Sequence, residues 1–261
     1  MICLVLYLKR EVVVYTMLRH RYQLLSVLLL ICLSAASRAQ TITVCSPYHS
    51  APFVIDHAKK QGIIYDFVDY LNQNAPTDWR FKLAFMPRAR LFKQLSQDEV
   101  CIVPFVSPLW FDPDKSQYHW SKAIFADGNV ILSDRTRKLE SLSADIIAGL
   151  STSRVIGQKN DILDALIKQK VITAFNSNSL ESSVEMLALG RVDFVVSGKL
   201  LLGYIVAQRS DSERFYFSHD YVQTFDRAVL FPKSMSPQVI EFVENKLTEL
   251  HLSADGQLLS K

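Results

Sequence analysis

The sequence predicts an α/β protein of two lobes, each a mainly parallel sheet flanked by helices, with a hinge between them. Three observations carry this. Short apolar β-branched runs alternate with segments of helical apolar spacing. That alternation occurs twice, once before about residue 127 and once after it. The last strand and helix then have the character of a return to the first unit. Strands alternating with helices imply parallel sheets.

The elements follow in order. Thr41–Val44 is a β-branched strand that ends in a loop punctuated by Pro47 and Pro52. Gly62 precedes a helix with Ile63, Ile64, Phe67, Val68 and Leu71 on one face. Phe81–Phe85 is a strand, residues 90–95 a short helix, and Val100–Phe105 a largely apolar strand of the buried kind. The second unit starts near residue 128 with the strand Val130–Leu132. Val155–Ile156, Val171–Phe175 and Asp193–Val196 follow as strands, with helices around 162–167 and 178–189 between them. Asn178 and Glu181 have capping-box spacing, and Gly190 stops that helix. Leu200–Ala207 is a further helix. Phe215–Phe217 and Ala228–Phe231 are strands, and an amphipathic helix over about 237–250 closes the fold.

The N-terminus reads as an export signal. A basic stretch after Met17 leads into an apolar run, Leu24–Leu33, and then Ser37 and Ala39 fit the small-x-small cleavage rule. Cleavage is expected after Ala39, making residues 1–39 a signal peptide and the mature protein soluble in the periplasm. The run is too short to span a bilayer, which needs roughly 20 apolar residues. Cys32 lacks the small residue before it that a lipid-anchor site needs. Residues 1–16 fit awkwardly ahead of this signal, which points to Met17 as the start, the alternative being an unusually long n-region.

Charge excludes one class of partner. Residues 1–40 hold five of the 29 basic side chains (Lys9, Arg10, Arg19, Arg21, Arg38) and one of the 26 acids (Glu11), which leaves residues 41–261 near −1. The basic character belongs to the export signal and gives no argument for nucleic-acid binding. Cys45 and Cys101 remain after cleavage. An oxidising compartment permits a disulfide between them; their place inside strands favours two buried free thiols. No Cys/His metal spacing is present, and no cofactor is expected.

Several segments, in this order, resemble the extracellular solute-binding proteins of family 3, the periplasmic receptors of polar amino-acid ABC transporters. They are Tyr48-x-x-x-Pro52-Phe53, Gly62-Ile63-Ile64-Tyr65-Asp66, Pro87-Arg88-Ala89-Arg90, Trp120-Ser121, Leu187–Asp193 and Asp255-Gly256. The resemblance implies a type II clamshell, with lobe one at 41–127 plus 225–261 and lobe two at 128–224. It implies a monomer that captures a small molecule in the interlobe cleft. An inner-membrane ABC permease would receive the ligand, or a membrane signalling protein would read it. Tyr48 takes the place of the aromatic that stacks on the ligand.

The resemblance breaks at the charges. The place of the arginine that grips a ligand carboxylate reads Ser107-Pro108-Leu109-Trp110, and that of the aspartate that holds the ammonium reads Ser197-Gly198. A zwitterion without counter-charges is costly to desolvate, so a small polar or anionic ligand is expected. The candidate ligand residues are Tyr48, Arg88, Arg90, Ser107, Trp110 and Lys159, with Arg227 at the return hinge as a further cation. Asp66 and Asp193 read as structural. A dehydratase-like enzyme on this scaffold would need a proton donor or acceptor in the cleft. No Ser/His/Asp set, placed carboxylate pair or Gly-rich phosphate loop offers one, so the chain is read as non-catalytic.

Overall fold

The computed structural model describes residues 40–97, 100–156, 160–252 and 258–260. The signal segment, Lys159 and Asp255-Gly256 lie outside the described residues. Gln40 and Pro76–Trp79 belong to one small unit, in which the Gln40 N–H donates to the Asp78 carbonyl (2.6 Å). Thr41–Ala75 and Arg80–Lys261 form the other unit.

Along the chain the elements run β1 (Gln40–Ser46), α1 (Ile63–Asn74), β2 (Trp79–Phe85), α2 (Arg88–Ser96), β3 (Cys101–Val106), α3 (Pro108–Phe111), β4 (His119–Trp120) and β5 (Phe125–Asp134). Then come α4 (Ala144–Ile147), β6 (Ser151–Val155), α5 (Asp161–Lys168), β7 (Thr173–Ser177), α6 (Leu180–Ala188), β8 (Phe194–Gly198) and α7 (Lys199–Ala207). A 3₁₀ turn (Ser212–Arg214), β9 (Phe215–Phe217), β10 (Gln223–Phe231), α8 (Pro237–Leu247), β11 (Leu250–Leu252) and β12 (Leu258–Ser260) complete it.

The α/β class stands. The sheet is mixed rather than mainly parallel, with strand order β2-β1-β3-β10-β5-β8-β6-β7. β1 pairs with β3, and β6 with β7 and β8, in parallel. β5 and β10 are antiparallel to each other, and they also meet β8 and β3 antiparallel. These two strands carry the chain across the middle of the sheet and back, which fixes their opposite directions.

Strand alternation explains the cores. On β5, Val130 and Leu132 enter a cluster with Val184, Leu187, Leu202 and Phe215, whereas Ile131 enters another with Ile147, Leu163, Ile172 and Phe194. Successive side chains point to opposite faces, so helices cover β5 on both. A third cluster joins Met86, Leu91, Leu95, Val103, Val106, Phe111 and Leu230 around β3.

Two expectations are corrected here. Cys45 and Cys101 form a disulfide rather than free thiols. β1 and β3 are adjacent, with Thr43 opposite Cys101, and the two cysteine Cα atoms are 5.9 Å apart, within bridging range. Helix α6 is capped by Ser179, whose side chain accepts from the Ser182 N–H, not by Asn178. Ser179 is the residue that takes the extended conformation at the helix start, as a cap must. Among the described residues no helix is long and apolar enough to cross a membrane.

Candidate functional site

The site is assembled where β3 ends against the crossing strands. Pro104 has no N–H for the ladder, and the β3–β10 register slips there, with Val103 opposite Leu230 but Val106 opposite Ala228. Two residues of β3 therefore face one of β10, a bulge. Within it Phe105 is buried with φ of 61°, a conformation that a bulky residue holds only under strain. The consequence is local and chemical. The Phe105 carbonyl accepts from the Tyr48 hydroxyl (2.6 Å) and from Nη1 of Arg227 (2.9 Å).

Tyr48 is held from the other side. Its ring stacks on Phe53 with centroids 4.0 Å apart. The loop carrying both is pinned to α1, whose Ile63 and Ile64 N–H groups donate to the Pro52 and Phe53 carbonyls (3.1 and 3.2 Å). Gly62 is required at this junction. Its φ is 127°, and a β-carbon there would stand 2.5 Å from the Phe53 carbonyl oxygen. Burial pushes the Tyr48 phenol above its ordinary pKa, with Arg227 acting against that rise. The neutral hydroxyl thus remains a donor at physiological pH.

Arg227 is the centre of the arrangement. It is only 2% exposed. Its Nε and Nη2 each donate to Oδ2 of Asp127 at 2.8 Å, and Nη1 also donates to the Tyr48 hydroxyl at 3.0 Å. Asp127, 5% exposed, accepts on its other oxygen from the N–H groups of Gly128 (2.8 Å) and Leu200 (3.5 Å). Four rings surround the guanidinium, with Cζ at 5.0 Å from Phe53, 5.3 Å from Trp110 and Phe225, and 5.9 Å from Tyr48. A buried charge pair persists only where its hydrogen bonds are satisfied, and here they are.

The place that the resemblance assigned to an ammonium-holding aspartate lies next to this pair. A β-carbon on Gly198 would sit 3.6 Å from Oδ2 of Asp127 and 3.8 Å from Nη2 of Arg227. The charges beside Gly198 are therefore those of Asp127 and Arg227 on the crossing strands, and these neutralise each other.

A cavity of about 340 Å³ opens beside the pair. Ser107, Asp127 and Phe225 line it, together with Ser121, Thr224 and Lys115. Ser107 is 1% exposed and its hydroxyl has no hydrogen-bond partner. Although it precedes α3, its side chain makes no cap bond. A buried hydroxyl left without a partner is uncommon and costly.

Of the six sequence-derived candidates, the structure brings four together. Tyr48 and Trp110 wall the Arg227 guanidinium, and Ser107 lines the cavity. Arg88 lies 5.7 Å from the Trp110 ring and 5.2 and 5.4 Å from Phe111 and Phe92, and it reaches the Trp110 carbonyl at 3.5 Å. Burial against these rings lowers its pKa. Arg90 is exposed on α2 and is not part of this group. Lys159 lies outside the described residues. Asp193 is structural, accepting from the Ser151 N–H and hydroxyl (both 2.8 Å) and pairing with Arg137 (3.0 Å). Among the described residues no cluster of His, Cys, Asp and Glu could hold a metal ion.

Sequence reasoning missed Asp127 and gave Arg227 a minor part. The signal was present in the strand alternation. Arg227 falls between Phe225 and Val229, at an inward position of β10, and an inward charge demands a partner. Phe225 faces Asp127, and Arg227 faces Phe125, on the neighbouring strand.

No protein-family model matches the chain, and no curated protein matches it. Solved structures do. A point mutant of arginine-bound ArgBP from T. maritima aligns at 17% identity with a TM-score of 0.59, covering 82% of this chain and 96% of that one. The GluR0 ligand-binding core from Nostoc punctiforme, in complex with L-glutamate, aligns at 16% identity and a TM-score of 0.61, covering 79% and 91%. A substrate-binding protein of an amino acid ABC transporter aligns at 15% and 0.58, covering 80% and 92%. The chain shares the α/β fold of these proteins.

Proposed function

We propose that the chain is an exported solute-binding protein, cleaved after Ala39, that captures a small polar or anionic molecule beside the crossing strands β5 and β10. Residues 41–127 with 225–261, and residues 128–224, act as two lobes that close on it by hinge motion. The receiving partner is a membrane ABC permease, and the protein works as a non-catalytic monomer. An arginine-bound protein, a glutamate-bound core and an amino acid ABC transporter's substrate-binding protein share the fold, which supports this reading.

The observation that carries it is the cavity lined by Ser107, whose buried hydroxyl has no partner. Pockets of this size suit small ligands, and rotation of the Ser107 side chain toward a ligand would supply the missing hydrogen bond. Lys115 on the cavity wall provides a cation to such a site, with Asp226 as an acidic side chain of the same wall.

The test is thermal melting of the purified protein against a panel of amino acids, carboxylates, sugars and polyamines. A ligand of the folded state present at about 100 times its Kd adds roughly 2.7 kcal/mol of stability. A carboxylate or neutral polar solute that raises the melting temperature fits the proposal. A response confined to polyamines contradicts it.

A further inference from the structure

The cage around Arg227 is a complete recognition site for a guanidinium. It supplies four aromatic walls within 5.9 Å, a carboxylate at 2.8 Å, a carbonyl at 2.9 Å and a phenolic oxygen at 3.0 Å. Aromatic faces attract cations through their quadrupoles, and a carboxylate matches the planar fork of N–H donors. The site is filled from within, by the chain's own side chain. It also lies against the cavity, since Asp127 and Phe225 belong to both.

We infer that Arg227 is a specificity determinant: it occupies a guanidinium subsite in cis, so that the protein refuses free guanidinium solutes and accepts them once that side chain is removed. The inference rests on the solute-binding reading for its biological meaning, but the cage stands on its own geometry. With Arg227 in place, the inner wall of the cavity presents a neutralised pair. An incoming cation finds Asp127 already paired and the four cage rings already facing a guanidinium, which leaves Asp226 and Tyr221 as the acidic and aromatic side chains of the cavity wall outside the cage. Arg227→Ala leaves the Asp127 carboxylate and the ring faces without their partner and opens a space of guanidinium shape among them.

Methylguanidinium is the probe, and N-methylurea is its uncharged counterpart of similar shape. Wild type, Arg227→Ala and the double variant Arg227→Ala/Asp127→Asn are melted with each at about 10 mM, where a millimolar site shifts the midpoint by about 3 °C. The expected result is a rise for Arg227→Ala with methylguanidinium, none with N-methylurea, and none for wild type or the double variant with either compound. If Arg227→Ala folds only when methylguanidinium is present, that supports the same conclusion. The inference is overturned if methylguanidinium gives Arg227→Ala no rise beyond N-methylurea, if wild type rises equally, or if the single variant stays unfolded with the probe while the double variant folds. A failure here leaves the Ser107 cavity and its ligands untouched. Conversely, a wild type that answers no solute leaves the methylguanidinium result standing.

Discussion

The molecule places charge in two ways. At the crossing strands, Asp127 and Arg227 are buried, saturated with hydrogen bonds and enclosed by rings. Around α6 and the 3₁₀ turn, Arg209 joins Glu185 and Asp211 at 2.7 Å each, with Glu185 half exposed, and Arg214 joins Asp134 at 3.0 Å. The distances are alike, but the settings are not. Water screens the outer pairs and already solvates their charges, so each contributes little. The inner pair has no water to fall back on, and losing one partner strands the other. Pair distance therefore says little about energetic weight, whereas burial says much.

The largest effect expected from breaking that contrast is at the inner pair. Arg227→Ala, without any added cation, should lose about 3–5 kcal/mol of folding stability by urea denaturation, since Asp127 is left buried and unpaired. Removing the disulfide comes next. It closes a separation of 56 residues between Cys45 and Cys101, and reduction or Cys45→Ala/Cys101→Ala should cost roughly 2–4 kcal/mol in the same assay.

Asp112 sharpens the comparison through pH. Burial pushes its carboxyl up, but the Trp120 indole N–H and the backbone N–H groups of Tyr118, Gln117 and Ser116 outweigh that and hold it below the ordinary value. A depressed folded pKa stabilises the protein above the unfolded pKa, and this contribution is lost as pH falls through the folded value. The stability gap between wild type and Asp112→Asn should therefore be constant near neutrality and shrink below about pH 4. The smallest effect is at the outer pair, where Glu185→Ala should change stability by less than about 0.5 kcal/mol.

The sequence made the fold legible where apolar runs were dense. Ile63–Leu71, Val100–Phe105 and Leu200–Ala207 all correspond to observed elements. It showed only the centre of β5, because Ala126–Gly128 carries no β-branched signal, and that blind stretch holds Asp127. The disulfide depended on which strands are neighbours, which periodicity does not encode. Of the candidates named from the sequence, Ser107 lines the cavity and Tyr48 and Trp110 wall the Arg227 guanidinium. The Asp127–Arg227 pair was not legible, because it joins strands a hundred residues apart and emerges only when inward positions on the two crossing strands are matched.

Solute capture beside those strands is tested most directly by calorimetric titration of the best solute from the melting panel into wild type and Ser107→Ala. The account predicts saturable one-to-one binding to wild type. Ser107→Ala should bind about tenfold more weakly, the worth of roughly one hydrogen bond, while melting at least as high as wild type without ligand, because a buried unpartnered hydroxyl has been removed. No saturable binding to wild type, or equal affinity in Ser107→Ala, would contradict it.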